Sequence, residues 1–413
     1  MTFYCIGEKL SHSFSKEIHD KIGGYSYYIK EIAPEKLDSF MESKEFDGLN
    51  VTIPYKERVI PHMFFTEENA KRVGAVNTVV RRDGRLYGYN TDVYGMTSLI
   101  SRAGIEVKDR KVLILGTGGT SKTAREVCRL LGAKEVFTVS REPKGEYISY
   151  SEAAGIHSDA HIIINTTPCG MYPKTGAVPI DTDGFAKLEG VVDAVYNPLR
   201  TELVMNALLR GIKATGGLYM LVSQAVRASE YFTGKTYGPE LENELYNEVV
   251  FEKRNIVLTG MPSSGKTTLG KKVASLLGRE FVDTDDEIVR RTGRDIPSIF
   301  REDGEKAFRD LEEEVIRDVS RESGRIISTG GGAILRENNV YRLKQNGRIV
   351  FIDRPVEKLI PTSDRPLAGS AEAVRKRYGE RIEIYRSTCD KSFVPVDSIE
   401  ENAQTIIRKA KEQ

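Results

Sequence analysis

Lys111-Val112-Leu113-Ile114-Leu115 runs directly into Gly116-Thr117-Gly118-Gly119-Thr120-Ser121-Lys122, and Asn255-Ile256-Val257-Leu258-Thr259 runs directly into Gly260-Met261-Pro262-Ser263-Ser264-Gly265-Lys266-Thr267. An apolar strand that passes through a glycine turn into a helix aims backbone N–H groups and the positive helix end at a phosphate. The second run satisfies G-x-x-x-x-G-K-[ST] at every position, which is specific in this strand-to-helix context. The first keeps two glycines of G-x-G-x-x-G, with Ser121 in place of the third. One half therefore reads as a dinucleotide site and the other as a nucleoside triphosphate site, as though two enzymes were joined.

Outward from these turns, strands and helices alternate. Residues 111–115, 135–139, 162–165 and 191–196 read as strands and 123–131 as a helix, the pattern of a parallel doubly wound sheet. Upstream, residues 1–93 hold shorter units, with 48–53 a strand and 55–59 helical. Residues 223–252 read as helical and are expected to fold back on that first segment. A third α/β unit starts at Asn255, and the join Glu252-Lys253-Arg254 has no Gly, Pro or Ser to make it a flexible linker. The expected division is 1–93 plus 223–252 as a substrate-binding domain, 94–222 as a Rossmann-type dinucleotide domain, and 253–413 as a P-loop α/β domain with a central parallel sheet.

The chain has 413 residues, with 61 basic and 60 acidic side chains and a net charge of +1. That balance gives no reason to expect nucleic acid or a membrane surface as partner. Four scattered cysteines without a C-x-x-C pair fit a reduced, cytoplasmic setting. The opening Met1-Thr2-Phe3-Tyr4-Cys5-Ile6 reads as a strand rather than a leader. Oligomeric state is left open.

In the first half the dinucleotide turn offers Gly116, Gly118, Gly119, Thr120 and Ser121 to a pyrophosphate. An NAD site usually places an acid at the end of the next strand. Here that strand ends Ser140-Arg141, a hydroxyl and a guanidinium suited to a 2′-phosphate, so NADP(H) is favoured over NAD. His157 and His161 lack a third partner and are discounted as metal ligands.

Four further stretches, Leu10-Ser11-His12-Ser13-Phe14-Ser15, Asn50-Val51-Thr52-Ile53-Pro54-Tyr55-Lys56-Glu57, Gly74-Ala75-Val76-Asn77-Thr78 and Gly88-Tyr89-Asn90-Thr91-Asp92, are followed by three more. These are Asn165-Thr166-Thr167-Pro168-Cys169-Gly170-Met171, Asp193-Ala194-Val195-Tyr196-Asn197-Pro198 and Gly217-Leu218-Tyr219-Met220-Leu221-Val222-Ser223-Gln224. Together, over residues 1 to about 250, they resemble shikimate dehydrogenase. The resemblance implies that Ser13 and Ser15 hold a ring carboxylate. Asn50, Thr52, Asn77, Asp92, Tyr196 and Gln224 would surround the ring, and Gly217 would lie at the cofactor. Lys56, paired with Asp92, would give a proton to the ketone oxygen as hydride reaches the carbonyl carbon, a task for a positioned ammonium. Lys56 is expected near the start of the 55–59 helix, where the dipole opposes its charge while Asp92 favours it.

In the second half Lys266 is expected to reach the β- and γ-phosphates of ATP, with Thr267 on Mg²⁺. Gly260, Ser263, Ser264, Gly265 and Thr268 complete the nucleotide loop. Asp283-Thr284-Asp285 follows a short strand at 280–282 and serves equally well as a helix cap. Phe308-Arg309-Asp310-Leu311-Glu312, Ser328-Thr329-Gly330-Gly331-Gly332, Asp364-Arg365-Pro366-Leu367 and Arg381-Ile382-Glu383-Ile384-Tyr385 resemble shikimate kinase. That resemblance implies that Asp285 orients or deprotonates the acceptor hydroxyl and that Asp283 supports Mg²⁺ through water. Arg309 and Arg381 would clamp a carboxylate, with backbone at Gly330, Gly331 and Gly332 approaching the substrate. Arg365 would neutralise phosphate charge from a lid. The family commonly has a further arginine at the start of that lid, stacked on adenine; Glu357-Lys358-Leu359-Ile360-Pro361-Thr362-Ser363-Asp364 is short and lacks it.

The function implied is bifunctional. The first half would reduce 3-dehydroshikimate to shikimate with NADPH, and the second would phosphorylate shikimate with ATP and Mg²⁺. Two alternatives stay open: an NAD-using quinate/shikimate dehydrogenase fused to the kinase, or one half serving as a silent ligand-binding module.

Overall fold

The computed structural model describes residues 1–10, 14–360 and 370–412. Ser13 and Arg365, and residues 361–364 of the lid stretch, lie outside the described residues. The chain divides into two compact units, Met1–Val249 and Val250–Gln413, with the division inside the helix Pro239–Lys253.

The first unit carries two six-stranded sheets. The first is built from β1 (Thr2–Gly7), β2 (Ser26–Glu31), β3 (Gly48–Val51), β4 (Phe65–Thr66), β5 (Thr78–Arg82) and β6 (Arg85–Tyr89), in the order β2-β1-β3-β5-β6-β4. It is mixed, because β5 runs antiparallel to both β3 and β6. Between β5 and β6, Asp83 and Gly84 both take positive φ, 50° and 71°, as a two-residue hairpin turn requires. Leu49, Val51, Val76 and Val79 pack on one face with Leu37 and Met41, while Phe3, Tyr27 and Phe232 pack in a second cluster. Phe232 comes from the helix Leu218–Thr233, which thus returns to the first sheet.

The second sheet is wholly parallel: β7 (Lys111–Leu115), β8 (Glu135–Ser140), β9 (Ile148–Ser149), β10 (Ile162–Asn165), β11 (Gly190–Asp193) and β12 (Lys213–Thr215), in the order β12-β11-β10-β7-β8-β9. β7 is buried from Val112 to Leu115 because helices cover both faces of a parallel sheet. Strand order reverses at β7, and a crevice opens at that switch point.

The second unit has one parallel sheet: β13 (Asn255–Thr259), β14 (Phe281–Asp283), β15 (Ile326–Ser328), β16 (Gly347–Ile352) and β17 (Lys391–Phe393), in the order β14-β15-β13-β16-β17. β13, buried throughout, lies at its centre and delivers the phosphate loop.

Several sequence expectations are corrected. Residues 55–59 form turns, not a helix. Pro54 and Pro61 leave too few residues between them to repay helix nucleation. The helix-dipole influence expected on Lys56 therefore falls away. The strand expected at 191–196 ends at Asp193, which leaves Tyr196 in the following loop, and that at 48–53 ends at Val51. The helix expected from 123 starts at Gly119, and the strand expected at 280–282 is Phe281–Asp283. His157 packs its ring against Phe137 at 4.0 Å between centroids, and the His161 ring accepts a hydrogen bond from the Lys111 N–H.

Candidate active sites

In the first unit a cleft of about 570 Å³ lies between the carboxyl ends of the two sheets. Ser15, Asn50, Thr52, Lys56, Asn77, Asp92, Thr120, Tyr196, Gly217 and Gln224 all line it. Asn50 is held on β3, and Asn77 immediately precedes β5. Asp92 lies in the first turn of the helix Thr91–Arg102, whose cap Asn90 accepts from the Asp92 and Val93 N–H groups. Lys56 Nζ donates to Asp92 Oδ2 at 2.6 Å, with side-chain exposures of 23% and 15%, so the pair faces the cleft while shielded from bulk water. An ammonium held by a carboxylate there can hand a proton to a developing alkoxide.

The dinucleotide turn forms the other wall. Gly116 has φ +103°, and a Cβ there would sit 2.8 Å from Thr167 Cγ2. Gly118 caps the helix Gly119–Leu130 with no side-chain bond to its first N–H groups, and a Cβ on Gly118 or Gly119 would meet nothing within 4 Å. Open backbone at a helix start is what a pyrophosphate needs. Ser121 is buried in the first helical turn, and its N–H donates to Gly118 O at 3.0 Å. Ser140 and Glu142 close a small turn through the Ser140 hydroxyl, and Arg141 between them is exposed. Gly217 has a packing reason of its own, since a Cβ would lie 2.3 Å from Ala194 O.

In the second unit Gly260 and Gly265 take φ of +156° and +96° around the phosphate loop, and Ser263 takes +65°. Lys266 is buried and donates Nζ to Gly260 O at 2.8 Å and Met261 O at 2.9 Å. The Ser263 hydroxyl donates to Ile360 O, buried Ser264 packs beneath Gly260, and Thr268 is exposed on the first helical turn. Thr267 Oγ1 donates to Asp283 Oδ2 at 2.8 Å, while Asp283 Oδ1 accepts from the Asp285 N–H at 3.0 Å. Asp283 thus both caps the helix Thr284–Thr292 and brings a carboxylate to the Thr267 hydroxyl, a hard oxygen pair suited to Mg²⁺.

The Gly330-Gly331-Gly332 turn packs against three sets of groups. A Cβ on Gly330 would lie 2.6 Å from Asp285 Oδ1 and 2.7 Å from Glu312 Oε1. On Gly331 it would meet Pro262 Cδ at 2.9 Å, and on Gly332 both Arg309 Nη atoms at 2.3 Å. Arg309 Nη1 donates to fully buried Glu312 at 2.7 Å, and Arg381 Nη1 donates to Gly331 O at 3.0 Å. Burial pushes the Glu312 carboxyl up, against the pull of Arg309. The turn therefore brings an acid, Asp285, and two guanidinium groups around one strip of backbone.

Sequence reasoning gave no role to Glu312, Tyr385 or Thr284. Glu312 orients Arg309, the Tyr385 hydroxyl lies 2.9 Å from Gly260 O and 2.5 Å from Gly331 O, and Thr284 accepts from the Gly330 N–H. The first two are three or four residues from an arginine on one helix face, a spacing that marks them.

Comparison with known proteins agrees with both halves. Residues 5–79 match the family model described as shikimate dehydrogenase substrate binding domain, and residues 262–411 match shikimate kinase. A shikimate dehydrogenase (NADP(+)) of Clostridium perfringens is 36% identical over 265 residues, which cover 60% of this chain and 97% of that protein. A chorismate mutase/shikimate 5-dehydrogenase fusion protein from Clostridium acetobutylicum superposes with a TM-score of 0.57 at 35% identity, covering 60% of this chain and 96% of that one. The shikimate 5-dehydrogenase of Thermus thermophilus, solved with NADP(H) and shikimate, gives 0.54 at 29% identity, covering 60% and 99%. The chain belongs to the shikimate dehydrogenase family and carries a shikimate kinase domain at its C-terminal end.

Proposed function

We propose that this chain is a bifunctional enzyme. Its first unit reduces 3-dehydroshikimate to shikimate with NADPH, and its second phosphorylates shikimate to shikimate 3-phosphate with ATP and Mg²⁺. The observation that carries the reading is that each phosphate turn is accompanied, within its own unit, by a polar site of the matching chemistry. These are the Lys56–Asp92 pair in the first and Asp285, Arg381 and Arg309 along the glycine turn in the second.

NADPH, when bound, supplies the hydride. Lys56 donates the proton to the ketone oxygen, and Asp92 holds the ammonium in place. Asn50, Asn77 and Gln224 orient the ring, with Ser15 and Tyr196 at its edge. Arg141 and Ser140, where an NAD enzyme would carry an acid, support NADP(H) over NAD. In the second unit Asp285 accepts the hydrogen bond of the attacking hydroxyl, Arg309 and Arg381 hold the carboxylate, and Lys266 offsets phosphate charge. We assign residues 1–93 plus 223–252 to substrate binding, 94–222 to the cofactor and 253–413 to the kinase. The separate sheets spanning 2–89, 111–215 and 255–393 support that division.

The test is to incubate the protein with 3-dehydroshikimate, NADPH, ATP and Mg²⁺ and to follow NADPH loss and ADP formation separately. ADP formation that requires NADPH is expected. NADPH loss without ADP formation, or neither, would refute the bifunctional reading.

A further inference from the structure

Three amides at the dehydrogenase cleft, Asn50, Asn77 and Gln224, belong to one continuous string of hydrogen bonds. The Asn77 orientation is fixed by backbone, because its Oδ1 accepts from the Thr91 N–H at 2.7 Å and a backbone N–H can only donate. Its Nδ2 then donates to Thr91 Oγ1 at 3.1 Å. Gln224 is fixed likewise, since its Nε2 donates to Leu221 O at 2.9 Å and a carbonyl can only accept. That turns Gln224 Oε1 towards the Thr91 hydroxyl, 3.4 Å away, which also lies 3.3 Å from Asn77 Oδ1 and 3.2 Å from Thr78 Oγ1. Thr78 Oγ1 lies 3.2 Å from Asn77 Oδ1 and gives its proton there. Having donated, the Thr78 hydroxyl accepts from Asn50 Nδ2 at 3.2 Å. Asn50 Oδ1 is thereby turned to the Tyr27 hydroxyl, 2.8 Å away.

Tyr27 heads the string. Its ring stacks on fully buried His19, with centroids 3.9 Å apart and planes inclined by 12°. His19 is anchored in turn through Nδ1 to the Tyr25 hydroxyl at 2.6 Å. Burial raises the Tyr27 phenol well above its ordinary value, so its proton stays on and is given to Asn50. The sequence Tyr27, Asn50, Thr78, Asn77, Thr91 thus runs in a single donor-to-acceptor direction, with Gln224 oriented beside its end by Leu221 O.

We propose that Tyr27 is a positioning residue that sets the polarity of the substrate cleft. With each amide oxygen engaged behind the wall, Asn50, Asn77 and Gln224 each keep a second N–H for the ligand. Ring oxygens of the substrate opposite these amides are received as acceptors. Ligand hydroxyl protons are left for Asp92, which with Glu8 supplies the carboxylates lining the cleft. The site is therefore specific for a ring whose oxygens can all accept, ketone or hydroxyl, and rejects donors such as ring ammonium groups. This rests on the reading of the cleft as the dehydrogenase substrate site.

Tyr27→Phe keeps the ring stacked on His19 and removes only the hydroxyl. Asn50 can then turn its oxygen to the ligand. Using the full chain, oxidation of shikimate by NADP⁺ is measured as separate KM and kcat values, with kinase turnover of the same preparation as the measure of enzyme concentration and the KM for NADP⁺ as the check on the fold of the first unit. The expected result is a KM for shikimate raised about five- to tenfold, the effect of one hydrogen bond. The kcat and the KM for NADP⁺ should stay within about twofold, the pattern of a lost ground-state contact. Thr78→Val, which interrupts the string at a second link, should give the same split, and Thr78→Ser should restore native values. Unchanged KM for shikimate in both Tyr27→Phe and Thr78→Val, with a native chain that oxidises shikimate, would overturn the inference alone. A native chain with normal kinase turnover that never oxidises shikimate would overturn the reading of the cleft and the inference with it.

Discussion

Gly332→Ala isolates the carboxylate clamp we propose for the kinase site. The Gly332 backbone, at φ −111° and ψ −1°, is open to any L-residue, so the substitution brings no backbone strain. Its Cβ would instead lie 2.3 Å from both Nη atoms of Arg309 and 2.5 Å from Cζ. Such an overlap is relieved by moving the guanidinium, the far end of a flexible side chain, rather than the turn. The guanidinium is held by Glu312 at 2.7 Å and by Glu305 at 3.3 Å, so it cannot shift without loosening one of them. A misaligned Arg309 forfeits a charge-assisted hydrogen bond to the substrate carboxylate, about 1.5–3 kcal/mol. At 1.4 kcal/mol per factor of ten, the KM for shikimate should rise by about 10- to 150-fold. Initial-rate ADP formation, with shikimate and ATP varied in turn, should show that rise together with an ATP KM within about twofold of native, because the displaced group binds the other substrate. Gly379→Ala provides the control: this glycine sits inside the helix Ala371–Thr388 with nothing within 4 Å of its Cβ position. It should leave kinetics unchanged and stabilise by up to about 1 kcal/mol. A soluble Gly332→Ala protein with native KM for shikimate would refute the role of Arg309 and the reading of the glycine turn around it.

Lys56→Ala should slow dehydroshikimate reduction by at least about 100-fold, the lower range for general acid catalysis, with kinase turnover of the same sample as the reference. Arg141→Asp should weaken NADPH use more than NADH use in steady-state kinetics, and equal use of the two cofactors by the native chain would refute the cofactor assignment. Burial pushes the His19 imidazole down to about 3, so it stays neutral in the folded chain while the unfolded chain protonates near 6.5. Its stabilisation is therefore present above pH 6.5 and lost as pH falls towards 3, by about 2 kcal/mol between pH 7 and pH 5. Urea midpoints of the native chain and His19→Gln should converge across that interval. Fragments cut at the compact division, 1–249 and 250–413, should each keep their own activity; a fragment active only when co-expressed with its partner would show an obligate interface.

The strands Lys111–Leu115, Ile162–Asn165 and Asn255–Thr259 were legible because each is a continuous apolar run bounded by turn-forming residues. Residues 55–59 misled because a single apolar pair four residues apart, Tyr55 and Val59, fits a turn as well as a helix. The flanking prolines, which act on the backbone, decided the outcome. The mixed order of the first sheet was not legible, since strand direction depends on pairings between distant segments. The residues that line the cleft were singled out by the motifs they share with the family, polar types at turns. Those that hold them in place were not: Tyr27, Thr78 and Thr91 look like ordinary strand and cap residues until Asn50 and Asn77 are brought beside them. A buried hydroxyl gains meaning only from its acceptor, and the acceptor of Tyr27 lies 23 residues away.

Glycine has opposite uses in the two units. At Gly118 and Gly119 a side chain would enter empty space, so what glycine provides there is room for a ligand to reach the backbone. At Gly330, Gly331 and Gly332 a side chain would strike, in turn, two carboxylates, a proline of the phosphate loop and a guanidinium. None of these three needs a positive φ, so conformational freedom does not explain the run. Close approach does. The turn is where Asp285, the phosphate loop and the Arg309 guanidinium meet, and a methyl group at any of the three positions would displace a different one. The triple glycine, expected to let backbone approach the substrate, is in the folded chain also a close-packed junction of its neighbours.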